Sequence, residues 1–76
     1  MSITIKSFGQ LTEITAHIII LEESKDTDDL RNQLEKRFPL LQNRKYAIAV
    51  DRKIITNMVK LNEASSVALL PPFSGG

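Results

Sequence analysis

The sequence has no cysteine and no tryptophan, and its one histidine is His17. Without cysteine the chain has neither disulfides nor thiolate metal sites, so any sulfur that it handles comes from another molecule. A lone histidine at the edge of an apolar run is more often a surface strand residue than a metal ligand or a general base. The sequence also has no Ser-His-Asp set, phosphate-binding glycine loop or evident pair of catalytic carboxylates, so an independent enzyme is the least favoured function.

Long apolar runs and an excess of one charge are missing as well. The apolar run Ile18 to Leu21 is far too short to span a bilayer, and the N-terminus has no signal-peptide pattern, so we expect a cytoplasmic protein with no membrane partner. Ten basic residues are scattered among nine acidic ones, which argues against a nucleic-acid partner. The 76 residues, 42% hydrophobic and 25% charged, predict one small globular domain.

The first half of the chain predicts a hairpin. The segment from Ile3 to Phe8 alternates like a half-buried strand, with Ile3 and Ile5 on one face and Phe8 on the other, more polar face. The segment from His17 to Leu21, rich in β-branched isoleucine, predicts a second strand. The short connection between the two strands favours an antiparallel pair.

A change of period then predicts one helix. Asp26 or Thr27 can cap a helix that begins near Asp28, and an apolar stripe recurs every four residues, at Leu30, Leu34 and Phe38. Pro39 disfavours the α region for the residue before it, so the helix is expected to end at Phe38.

Three more strands are predicted: Tyr46 to Val50, a short one at Ile54-Ile55, and Val67 to Leu70. The order β-β-α-β-β-β is that of an α+β protein of the β-grasp, ubiquitin-like type, with a mixed sheet of about five strands and one main helix. Because side chains alternate along a strand, Leu70 faces outward if Val67 and Leu69 face the helix.

The chain ends in a distinctive segment, Pro71-Pro72-Phe73-Ser74-Gly75-Gly76. Only three glycines occur in the sequence and two of them are its last residues. The prolines favour an extended backbone, and glycines without Cβ can enter a channel too narrow for other residues. We therefore divide the chain into a β-grasp domain, 1–70, and a flexible C-terminal tail, 71–76, whose reactive group is the Gly76 carboxylate.

These features resemble the small-subunit family of molybdopterin synthase, within the ubiquitin-like sulfur carriers of the MoaD/ThiS superfamily. The resemblance covers the whole chain and rests mainly on Leu70-Pro71-Pro72 followed by Gly75-Gly76, with support from Phe8-Gly9-Gln10-Leu11 and from Ala49-Val50-Asp51. Two positions depart from the family. Asp51 stands where the family often has asparagine, and Ala64 stands where a glycine is common, which predicts a different turn or a cost of roughly 1 kcal/mol.

The resemblance implies a function for the tail. An activating enzyme of the ubiquitin-activating type uses ATP and magnesium to adenylate Gly76, and a persulfide donor protein converts the carboxylate to a thiocarboxylate. The large synthase subunit, in a heterotetramer, then accepts the tail, and the sulfur attacks the pterin precursor, cyclic pyranopterin monophosphate, in molybdenum cofactor biosynthesis. The chain alone is expected to bind no cofactor or metal and to turn over no substrate.

The resemblance also implies a partner-binding surface with Phe8, Ile54 and Leu70, and Phe73 is a candidate docking anchor in the tail. A basic set beside the third strand is more simply explained as solvated surface: Arg44, Lys45, Arg52 and Lys53. Three alternatives stay open. They are a thiamine-pathway carrier, a carrier for tRNA thiolation or a protein modifier, and a non-catalytic β-grasp interaction module with an inert tail.

Overall fold

The computed structural model describes residues 2–72. This range forms five strands, one α-helix and two 3₁₀ helices, in the order β1 (Ile3–Ser7), first 3₁₀ helix (Gly9–Glu13), β2 (Ile18–Leu21), α1 (Thr27–Arg37), second 3₁₀ helix (Pro39–Asn43), β3 (Ala47–Val50), β4 (Lys53–Ile54) and β5 (Val67–Leu70). The order of strands and α-helix is the predicted one. The two 3₁₀ helices were not predicted, because their short segments lack a long apolar period.

The strands form one sheet in the order β2-β1-β5-β3-β4. The central pair, β1 and β5, is parallel, and the other neighbours are antiparallel, so the sheet is mixed as predicted. The last strand of the chain therefore lies in the middle of the sheet, beside the first strand. This placement brings the end of β5 next to the end of β1.

The core lies between the sheet and α1. Along β1, Ile3 and Ile5 are buried and alternate with exposed residues, and the helix contributes Leu30 and Leu34, both 0% exposed. Phe38 is partly buried against the same cluster. Full burial of one such aliphatic side chain contributes about 1.5–3 kcal/mol, so this single cluster supplies much of the stability of a small domain.

Helix α1 has strong signals at both ends. The Asp26 carboxylate accepts a hydrogen bond from the Asp29 N–H at 2.8 Å, so Asp26 is the N-cap of the two predicted candidates. Thr27 is instead the first helical residue, and its hydroxyl accepts from the Val59 N–H at 3.0 Å. Phe38 is the C-cap, directly before Pro39, as predicted.

Two turns contain the residues that depart from the family pattern, Asp51 and Ala64. Asp51 and Arg52 have φ of 51° and 71° and form the two-residue loop of the β3–β4 hairpin. Aspartate tolerates this left-handed backbone as asparagine does, and its carboxylate also accepts from the Ser66 N–H at 3.0 Å. Ala64 is not among the described residues with positive φ, and the Asn62 side chain accepts from its N–H at 2.8 Å. The turn at Ala64 therefore differs from the family's glycine-containing turn, and the cost expected for replacing that glycine does not arise.

Tyr46, directly before β3, is hydrogen-bonded to α1, and its ionisation makes the stability of the fold depend on pH. Burial, then the hydrogen bond from its hydroxyl to Glu35 at 2.7 Å and the Glu35 charge, raise the pKa of Tyr46, and Arg31 opposes this shift. The folded state therefore retains a proton that the unfolded chain loses near its ordinary pKa of about 10. Stability from this group is complete below about pH 10 and decreases as the pH rises above it.

We expect the free energy of unfolding of the wild-type protein to fall more steeply above about pH 10 than that of Tyr46→Phe, measured by denaturant unfolding at several pH values. The comparison removes the lysine contribution, which both proteins share. Since Tyr46 is the only tyrosine, tyrosinate absorbance reports on it alone. The Glu35→Gln variant, which removes the negative charge beside Tyr46, should lower the pKa of Tyr46. Equal slopes for wild type and Tyr46→Phe would contradict this account.

Candidate functional site

The face of the sheet opposite α1 is the candidate site, and we call it the outer face. It carries the outward side chains of the strands, which are Thr4, Lys6, Phe8, Ile18, Ile20, Ala47, Ala49, Ile54, Ala68 and Leu70. Paired strand residues share a face, so their partners assign each of them. Apart from Thr4 and Lys6, the members of this set are apolar, and an apolar face of this kind marks an interaction surface.

Phe8 and Leu70 lie at one end of the outer face. The backbone of Phe8 is still extended, and its N–H donates to the Leu69 carbonyl at 3.1 Å, so β1 and β5 remain paired to this point. The register Ser7↔Leu69 then places Phe8 beside Leu70. The Phe8 side chain is 46% exposed. An aromatic ring left open beside a leucine is suited to contact a partner.

Ile54 lies on the same face, at the far edge of the sheet. It pairs with Ala49, which pairs with Ala68 on β5, and its side chain is 54% exposed. The one strand between Ile54 and β5 is β3, which presents only the small side chains of Ala47 and Ala49 to this face. The two strand steps separate Ile54 from β5 by about 10 Å. The structure thus brings Phe8, Ile54 and Leu70 onto one surface.

Ile18 and Ile20 extend the outer face and were missed from the sequence. They pair with Lys6 and Thr4, and each is 56% exposed. The three consecutive isoleucines are equally apolar, so their pattern does not show which side chains face outward. Only the register with β1 shows this. The alternation of β1, read together with an antiparallel hairpin, was the available signal.

The beginning of the tail is described as far as Pro72. Pro71 is half-buried and Pro72 is exposed. The predicted site residues Phe73, Ser74, Gly75 and Gly76 lie outside the described residues. The structure therefore shows where the tail leaves the sheet, which is directly after Leu70 at one end of the outer face.

The other candidates from the sequence are surface groups. His17 is exposed, and so is the basic set Arg44, Lys45, Arg52 and Lys53. A groove between β2 and α1 is lined by charged and polar residues, but Arg37 donates to the Ile20 carbonyl at 3.2 Å and Gln33 to the Glu23 carbonyl at 2.6 Å. These bonds hold the helix to the edge of the sheet, so the groove has a structural role.

Within residues 2–72 no group of three or more histidine or acidic residues is placed to hold a metal ion. In the same range no helix has the length and apolar character needed to cross a membrane.

Comparison with known proteins shows the family of the chain. The model of the ThiS family matches residues 5–76. The chain belongs to the ThiS family. This ThiS-family protein is accordingly a ubiquitin-like sulfur carrier of the ThiS/MoaD type.

Two solved structures are similar over their full lengths. A chain from the complex of subunits 1 and 2 of molybdopterin-converting factor from Helicobacter pylori 26695 is 26% identical, with a TM-score of 0.75, and the alignment covers 100% of both chains. SAMP1 from Haloferax volcanii is 19% identical, with a TM-score of 0.79 and 100% of both chains covered, and it supports the fold alone. The β-grasp prediction is confirmed by both.

Proposed function

We propose that this ThiS-family protein is the small subunit of molybdopterin synthase and carries sulfur as a thiocarboxylate on Gly76. The observation that best supports this function is the place where the tail leaves the sheet, directly after Leu70. Strand β5 continues directly into Pro71, so Phe8, Leu70 and the start of the tail lie at the same end of the outer face. The full-length similarity to a chain of a molybdopterin-converting factor complex favours this role among sulfur carriers.

Activation requires ATP, magnesium and an enzyme of the ubiquitin-activating type. In the proposed step a Gly76 carboxylate oxygen attacks the α-phosphorus of ATP, and pyrophosphate leaves. The terminal sulfur of a donor protein's persulfide then attacks the acyl-adenylate carbonyl, and AMP leaves. A second thiol of the partner proteins then attacks the donor's cysteine sulfur in the resulting acyl disulfide. The sulfur–sulfur bond of the acyl disulfide breaks, these two sulfurs form a new disulfide, and the thiocarboxylate is released. The chain has no cysteine and contributes none of these thiols.

Delivery takes place on the large subunit. The thiocarboxylate sulfur attacks a side-chain carbon of the pterin precursor, cyclic pyranopterin monophosphate, and the oxygen substituent on that carbon leaves. Water then attacks the Gly76 carbonyl carbon, and the bond between this carbon and the sulfur breaks. The free carboxylate returns, and a second delivery completes the dithiolene. The partner supplies the catalytic side chains, whereas this protein supplies the sulfur and a docking surface at Phe8, Ile54 and Leu70. We place this exchange in the cytoplasm.

A thiamine-pathway carrier is the second candidate, and the match to the ThiS family model is the observation that favours it. It uses the same carboxylate and the same activation chemistry. The two candidates differ only in the acceptor of the sulfur. The large synthase subunit with the pterin precursor should discharge the carrier under the first proposal and leave it charged under the second.

Intact mass tests the shared chemistry. After incubation with ATP, an activating enzyme and a persulfide donor, we expect the mass gain of one oxygen replaced by sulfur. Because the chain has no cysteine, an alkylating reagent should then modify the charged protein at one site, the C-terminus, and leave the uncharged protein unmodified. A protein with Gly76 deleted is the control. The activating enzyme must be shown to be active, by charging a carrier that it is known to use. If that enzyme produced no mass gain on this protein, the proposal would be refuted.

A further inference from the structure

Gly9 contacts the first residue of the tail. Its φ is +62°, a left-handed backbone that side chains other than glycine adopt at a cost. A Cβ built on Gly9 would lie 2.8 Å from Pro71 Cγ and 3.4 Å from Pro71 Cδ. Real Cβ atoms do not approach carbon so closely, so the proline ring occupies the space that the missing side chain leaves.

The segment that carries Gly9 is firmly anchored. Leu11, in the first 3₁₀ helix, is 2% exposed and belongs to the core. The Thr15 hydroxyl donates to Ser7 Oγ at 2.9 Å, and its N–H donates to the Leu11 carbonyl at 2.9 Å. The buried Ser7–Thr15 pair thus connects the end of β1 to a residue just beyond the first 3₁₀ helix, Gly9–Glu13. Pro71 therefore packs against a part of the molecule that is fixed from both sides.

The two prolines have different surroundings. Pro71 is half-buried, whereas Pro72 is exposed. Both restrict φ equally, so the contact with Gly9 is what distinguishes them. Pro71 has a definite position relative to Phe8 and Leu70, the two residues at the same end of the outer face.

We propose that Gly9 is a positioning residue, which seats Pro71 and so sets the direction in which the tail leaves β5. This inference rests on the proposed sulfur-carrier function. Five residues follow Pro71, and they reach at most about 17 Å when fully extended. A partner that docks on the outer face must receive Gly76 within that radius. A fixed starting direction reduces the conformational entropy lost when the tail enters the partner's active site.

Four variants test the contact between Gly9 and Pro71, which we call the seat. They are Gly9→Ala, Pro71→Ala, the double variant and Pro72→Ala. Sulfur transfer from the charged full-length proteins to the large subunit is measured as a function of carrier concentration. Gly9→Ala should raise the KM for the carrier about five- to tenfold, because the start of the tail is displaced, with kcat changed little. Pro71→Ala should act in the same direction, because it removes the seated Cγ and Cδ atoms.

The double variant separates the contact from other effects. Pro71→Ala removes the atoms that the new side chain at position 9 would meet and leaves Cβ, which is 3.8 Å away. We therefore expect the double variant to match Pro71→Ala within about twofold, since the two changes act on one contact. If the increase in KM of the double variant were instead the product of the two single increases, the two residues would act independently and the inference would be overturned. Pro72→Ala removes the same φ restraint without the seat, so an effect as large as that of Pro71→Ala would also overturn it.

Two further readouts keep the outcomes distinct. Thermal unfolding shows whether each variant folds, and a nuclear Overhauser effect between Gly9 Hα and Pro71 Hγ in the uncharged wild type tests the seat without any activity. Failure of the wild type to become charged would refute the proposed function. A charged wild type with Gly9→Ala transferring sulfur at wild-type KM would refute the seat alone.

Discussion

Extending the chain by one residue beyond Gly76 is expected to abolish sulfur transfer and leave the melting temperature unchanged. The extension locks the Gly76 carbonyl into an amide, which ATP does not adenylate. The new terminal carboxylate is displaced by one residue, and any residue other than glycine adds a Cβ to the end of the tail. The core residues lie between Ile3 and Leu69, so the fold does not depend on the terminus.

The measurement combines charging, followed by intact mass, with thermal unfolding. The matched control carries the same extra residue before Met1 and should be charged like the wild type. The mass of the extended variant must also show that the extension is intact. An extended variant that remains intact and still transfers sulfur would refute the thiocarboxylate on Gly76. If deletion of Gly75 and Gly76 also left partner function unchanged, the inert-tail interaction module would be favoured.

Adjacent leucines of β5 are expected to respond in opposite ways to the same substitution. Leu69 is 0% exposed and faces α1, so Leu69→Ala leaves a cavity and costs about 2–5 kcal/mol of stability. For a domain of this size each kcal/mol lowers Tm by about 4–8 °C, so a loss of at least about 10 °C is expected. At the upper end of this range a large fraction of the molecules would be unfolded, since small domains have a total stability of only about 5 kcal/mol or little more.

Leu70→Ala should instead leave Tm nearly unchanged and weaken partner binding. Leu70 is half-buried on the outer face beside Phe8, and loss of an apolar interface contact worth more than about 1 kcal/mol raises Kd at least about fivefold. Binding of the large subunit is measured by titration calorimetry, with unfolding followed in parallel. The prediction fails if Leu70→Ala lowers Tm as much as Leu69→Ala.

Leu40→Ala is the control for the docking surface. Leu40 is 64% exposed in the second 3₁₀ helix, away from the outer face, and the substitution removes the same atoms. It should leave both Tm and binding unchanged. Equal binding losses for Leu40→Ala and Leu70→Ala would show that the effect is not specific to the outer face.

Much of the fold followed from local patterns. The alternation of β1 and the four-residue period of the helix predicted which residues enter the core, and β5 was predicted with its observed bounds, Val67–Leu70. Strand parity along β5 also predicted that Leu70 faces away from the helix. These predictions hold because a strand has a period of two and a helix one of 3.6, whatever else surrounds them.

Other features depended on neighbours that are distant in sequence. Nothing in the isoleucine run of β2 shows that Ile18 and Ile20 face outward, because the hairpin register decides it. Ala64 suggested a strained turn, yet the side chain of Asn62 provides a different one. The partner-binding role of Phe8, Ile54 and Leu70 and the role of Gly76 remain predictions.

By itself the sequence predicted one α-helix and five strands, which residues 2–72 contain, and it shows the Gly75-Gly76 pair, since these features depend on local period, composition and order. Only the tertiary structure decided that β1 and β5 are parallel neighbours at the centre of the sheet. That pairing places Phe8 beside Leu70 and Gly9 against Pro71, although more than sixty residues separate them along the chain. Contacts over such separations arise only when the chain packs around a common core, because no local preference specifies the strand beside which β5 settles.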